Sequence, residues 1–124
     1  MTTPTKLGNK EVTLRSTALT PVILKNIFKI DIMTTMQSLR HEHTEAEGNE
    51  AVEAVKKLGF VMVKQGEDIP VPDLFNLTEM DFFLWLDSFE YGELDTSEAM
   101  NAILAAWMGN TNTSVEAKNA QGAQ

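Results

Sequence analysis

Cysteine is missing from this chain of 124 residues. That excludes disulfides, thiolate metal sites and cysteine nucleophiles, and it fits a reducing compartment. No apolar run approaches the roughly 18 residues that read as a membrane span. The opening Met1-Thr-Thr-Pro-Thr lacks the apolar core of a signal peptide. A soluble cytoplasmic protein is expected. Basic residues are missing from one long stretch: residues 67–98 hold ten acids and neither Lys nor Arg. With a net charge of −8, the chain repels phosphate, which argues against a nucleic-acid partner.

Other familiar signatures are absent too. The seven glycines are scattered and follow no P-loop or dinucleotide pattern. No motif sets a histidine base beside a Ser or Thr. His41 and His43 stand two apart, a spacing that does not share a helix face, so a charged surface run explains them better than a metal site. The acids between 67 and 98 are read as caps and solvated surface. No enzyme activity, cofactor or metal is expected.

What is present is helical patterning. Apolar residues make up 43% of the chain, enough for one modest core. Thr20 as N-cap and Pro21 at the first helical position start a helix reaching about Phe28, with Ile23, Leu24, Ile27 and Phe28 for the core. Asp31 can cap a second helix bearing Ile32, Met36 and Leu39. His41–Glu50 reads as a polar break containing Gly48. Val52, Val55, Met62 and Val63 mark a third helix stopped at Gly66, in which Gly59 implies a kink or close packing. Ile69-Pro-Val-Pro excludes regular helix.

Leu77–Phe89 is the most informative segment. Thr78 and Asp81 have the spacing of an N-cap and its first-turn carboxylate. At about 100° per residue, Phe82, Trp85, Leu86 and Phe89 share one face, while Met80 and Leu84 point away and Phe83 flanks. Either the domain buries this helix on two sides, or another protein covers the far side. Asp95 and Glu98 open a last helix ending near Gly109. Its apolar face is expected at Met100, Ile103, Leu104 and Trp107, with Ala102, Ala105 and Ala106 opposite.

These elements define an all-α fold: a small bundle of about five helices, with a short extended arm or strand at 11–15 as an option. Residues 1–10 are expected to be a flexible N-terminus, 11–109 one helical domain and 110–124 a disordered tail.

Two segments resemble the tail assembly chaperones of long-tailed bacteriophages of Gram-positive hosts. One is Val12-Thr-Leu-Arg-Ser-Thr-Ala-Leu-Thr-Pro-Val-Ile-Leu-Lys-Asn-Ile-Phe-Lys-Ile-Asp-Ile-Met-Thr-Thr-Met, similar to that family's extended piece, helix and second helix. The other is Asp73-Leu-Phe-Asn-Leu-Thr-Glu-Met-Asp-Phe-Phe-Leu-Trp-Leu-Asp-Ser-Phe, with the final helix and polar tail after it. The resemblance implies an all-helical, non-enzymatic protein of the host cytoplasm, absent from the finished virion. It also implies a partner: the long apolar tape measure protein, kept soluble until tail-tube subunits polymerise around it.

Facing angles, independently of that resemblance, nominate Met80, Phe83, Leu84 and Met108 for an apolar partner surface. Methionine-rich helices suit such a surface because they adapt to varied side chains, although core filling is the plainer use of the seven methionines. Residues 1–30 carry five Lys or Arg against Glu11 alone. This basic segment and the acidic one permit head-to-tail self-association, for which Lys25, Lys29, Asp87 and Glu90 are the candidates. Two other readings stay open: a small head–tail connector or completion protein retained in the virion, and an acidic regulator that binds host proteins.

Overall fold

The computed structural model describes residues 2–38 and 45–109. Its first elements are strands β1 (Thr2–Leu7) and β2 (Lys10–Arg15), followed by α1 (Thr20–Phe28), α2 (Ile32–Ser38), α3 (Glu45–Gly66), α4 (Val71–Leu74) and α5 (Glu79–Asp87). A further helix, α6, covers residues 97–109. The all-α expectation is therefore wrong. The domain is mixed: six helices among the described residues and a two-stranded antiparallel sheet at the N-terminal end. The stretch expected to be loose, residues 2–7, is a paired strand.

The hairpin has a simple cause. Gly8 takes a positive φ of 60°, as the first central position of a two-residue II′ turn demands, and Leu7 pairs with Lys10 across it. Pairing then runs through Thr5–Val12 and Thr3–Leu14 to Thr2–Arg15. In an antiparallel ladder alternate residues direct their backbone polar groups outward. Counting from the closing Leu7–Lys10 pair, Lys6, Pro4 and Thr2 face the free side of β1. Pro4 therefore stands where a missing N–H leaves β2 unaffected, and it removes a donor from the outer edge.

The same alternation directs the Thr13 carbonyl away from β1, and α3 covers it. A β-carbon on Gly66 would collide with the Thr13 carbonyl oxygen, so only glycine lets the end of α3 close on that edge. A buried polar knot fixes α1 beside it. Gln65 Nε2 donates to Thr17 Oγ1 at 3.1 Å, and Thr20 Oγ1 donates to Gln65 Oε1. Thr17 N donates in turn to Thr20 Oγ1 at 2.9 Å. Thr20 is not the N-cap of α1 as expected: Leu19 holds that position, and Thr20 spends its hydroxyl on this knot.

α3 starts at Glu45, so part of the expected polar break is its first turns. Gly48 lies inside the helix, and Ala51 and Val55 follow as buried residues. From Leu58 to Val63 every residue is buried, which makes α3 the central helix of the domain. Phe60, on α3, is the hub of an aromatic cluster. Its ring centroid lies 6.2 Å from Phe28, 5.5 Å from Phe82 and 5.7 Å from Trp85. Edge-on rings at such separations add to plain burial.

Asp31 caps α2, its carboxylate accepting from Met33 N at 2.8 Å. α4 corrects another expectation, because Ile69-Pro-Val-Pro leads into one helical turn. Pro70 is its extended N-cap and Pro72 falls in its first turn, where a missing N–H costs nothing. α6 is rotated from the expected face. Ala99, Ile103 and Ala106 are its buried positions, and Met100, Leu104 and Trp107 are only partly covered. Gly59 explains this, since a β-carbon there would come within 2.6 Å of Ile103 Cδ1. Small residues on both helices let their backbones approach. The His41–Thr44 run, Leu39 and the tail at 110–124 lie outside the described residues. Among the described residues, no helix is long and apolar enough to cross a membrane.

Candidate interaction surface

α5 is well specified at its start. Thr78 N donates to Asp81 Oδ2 at 2.8 Å, and Asp81 N donates to Thr78 Oγ1 at 3.4 Å, a reciprocal capping box. The cap fixes where the helix begins and so which side chains point inward. Phe82 and Trp85 are buried, with Leu86 and Phe89 partly covered beside them.

The opposite side is open. Met80 is 62% exposed, Phe83 50% and Leu84 63%. Phe83 remains tied to the core through the neighbouring Phe82 ring, 6.0 Å away. Asp87 continues the same outward side one turn later, exposed to solvent. Each of these groups is already partly covered, so leaving it open forgoes roughly half of the ~1.5–3 kcal/mol that full burial gives. Of the two readings of this helix, burial on both sides fails, and an uncovered apolar face stands.

No family model, curated protein or solved structure matches this chain.

Met108 is exposed as well, near the end of α6. It follows Ala106, whose carbonyl accepts from Ser16 Oγ at 3.2 Å, just beyond the end of β2. Phe89, at the far end of α5, meets the other end of that strand, where Lys10 Nζ sits 4.9 Å above its ring. Among the other methionines, Met36 and Met62 fill the core and Met33 is exposed.

Several apolar groups were not anticipated at the surface. Tyr91 is fully exposed in the turn after α5, and Val71 and Phe75 are exposed around α4. Phase within a regular helix identifies outward residues, and these three sit in or beside turns where it gives no such signal. Phe75 is held near α1, its carbonyl accepting from Asn26 Nδ2 at 3.3 Å.

All four charged candidates, Lys25, Lys29, Asp87 and Glu90, are exposed. Lys29 ends α1 in the left-handed region at φ 59°, and its Nζ donates to the Asn26 carbonyl. Part of the charge asymmetry is met within one chain. Glu93 accepts from Asn9 N at 3.0 Å and from Glu90 N at 3.1 Å, so the acidic segment holds the tip of the basic hairpin. Lys56 bridges Glu53 and Asp95. Burial pulls the Lys56 pKa down, but hydrogen bonds to Asp95 and Glu53 and their charges outweigh it and leave the pKa raised.

Proposed function

We propose that this chain is a tail assembly chaperone of a long-tailed bacteriophage, acting in the host cytoplasm and covering the tape measure protein until tube subunits replace it. The observation that carries the reading is the split of α5 into a buried aromatic side and an outward side of Met80, Phe83 and Leu84. A helical client with varied apolar stripes needs a flexible, non-polar docking face, and methionine beside phenylalanine and leucine supplies one. A coat that must later leave is best built from weak single contacts repeated over many copies. The resemblance of the Val12–Met36 and Asp73–Phe89 segments to that family supports the same reading.

Lys25, Lys29, Asp87 and Glu90, all at the surface, supply opposite charges for copies to associate along the client. The test is co-expression of the chain with its cognate tape measure protein, followed by pull-down. Phe83→Asp and Leu84→Asp are expected to abolish capture while the far-ultraviolet spectrum is kept. Undiminished capture by both variants would rule the surface out.

A further inference from the structure

We infer that the outward face of α5 receives an amphipathic helix whose apolar stripe is bordered by lysine or arginine. The inference rests on the chaperone reading and specifies the chemistry of the client segment at that same surface.

The first support is charge placement. At about 100° per residue, Met80, Leu84 and Asp87 share the outward side of α5, Phe83 adjoins them, and Glu79 borders Phe83. Glu90 follows the helix end. No Lys or Arg occurs between residues 67 and 98, so the local sequence supplies no cation for these carboxylates. The ion pairs among the described residues engage Glu53, Asp95 and Glu67 instead. Lys10 is committed to the Phe89 ring on the hairpin side.

The second support is a departure from helix preference. Asp87 is the last residue of α5, and no basic residue stands in that last turn. A carboxylate there opposes the negative end of the helix dipole. The same side also leaves three large apolar groups in water. Two departures from local preference on one side of a nine-residue helix mark a surface kept for binding. A basic-flanked helix answers both: its stripe covers Met80, Phe83 and Leu84, and its cations meet Glu79, Asp87 and Glu90, which takes Asp87 and Glu90 out of the contacts between copies. Rim charges of this kind govern selectivity and encounter rate, and salt screens them.

The probes are two synthetic helical peptides with leucines at i, i+3, i+4 and i+7, one flanked by lysines and the other by glutamates. Each carries a fluorophore and is titrated with the full-length chain at low and high salt. The lysine-flanked peptide is expected to bind about tenfold more tightly at low salt, with the gap narrowing at high salt. Leu84→Asp removes binding of both peptides. Asp87→Lys combined with Glu90→Lys reverses their order and leaves the thermal midpoint unchanged or raised. Equal binding of the two peptides overturns the inference. A lysine preference that survives the double reversal also overturns it, since attraction would then come from net charge elsewhere. A dimer in sedimentation that Leu84→Asp dissolves and neither peptide displaces assigns the face to a second copy, and likewise overturns it. If the peptides fail while tape measure capture still depends on Phe83 and Leu84, the charge rule falls and the chaperone reading stands.

Discussion

Gly66 at the end of α3 lies against the carbonyl oxygen of Thr13 in β2. The atom in the way of any side chain is backbone, so it cannot rotate aside. Gly66→Ala is expected to cost about 3 kcal/mol, the upper end of overpacking penalties. Urea denaturation of the two proteins measures it. A loss under about 1 kcal/mol would mean that the strand and helix separate easily.

Gly59→Ala presents a contest of two effects. Alanine in place of glycine within a helix favours folding by about 1 kcal/mol. The new methyl would press on the end of the Ile103 side chain, which is fully buried. Overpacking is expected to win, for a net loss of about 1–2 kcal/mol. Ile103→Val, which alone should cost about 1 kcal/mol, should be neutral or favourable in the Gly59→Ala background. A double-mutant cycle decides it, and additive losses would show that the two residues do not share this space.

Thr20→Val keeps the shape of the side chain and removes its hydroxyl. Gln65 Oε1 then loses a donor and Thr17 N an acceptor, both in covered surroundings. The expected cost is about 2 kcal/mol, set by the stranded partners more than by the bond itself. Thermal unfolding followed by circular dichroism is the measurement.

Lys29→Gly should stabilise the chain. The residue ends α1 at φ 59°, where glycine lacks the steric penalty of a β-carbon. The gain is about 1 kcal/mol at most, read as a raised thermal midpoint. A lowered midpoint would show that the lysine side chain outweighs the backbone term.

Lys56 gives a pH dependence with a defined sign. Its pKa in the folded chain is raised above the ordinary 10.5. Protons are therefore held more tightly in the folded state, so the stabilising contribution is complete below the unfolded value and is lost as pH climbs through the folded one. Its partners are about half exposed, so solvent screening keeps the contribution to about 1 kcal/mol. The stability gap between the native chain and Lys56→Met should be present at pH 8 and shrink at pH 11. A gap that is constant over that range would show that packing of the lysine stem, and not its charge, is responsible.

Legibility followed the strength of local signals. The Thr78 capping box, the Asp31 cap and the inward phase of α5 each rest on neighbours within a few residues, and each was readable. β1 was not, because Thr2-Thr-Pro-Thr-Lys-Leu buries only Leu7 fully and has no alternating apolar pattern. It exists because β2 offers a backbone ladder and the Gly8 turn delivers it. On α6 the large residues Met100, Leu104 and Trp107 are not the inward ones. Close approach at Gly59 favours the alanines instead. Phe60 gives no signal as a hub, since continuous burial along α3 erases the periodicity that would single it out. The outward triplet of α5 is legible by angle, whereas the hydrogen bond that ties Ser16 to α6 joins residues 90 positions apart in sequence.

Pro4 has a bearing on how copies of the chain meet. At high local concentration an open strand margin invites runaway stacking into fibres. An imino acid midway along that margin spoils the template. Crowded copies are thereby steered toward contacts made by side chains, which come apart more readily than a backbone ladder.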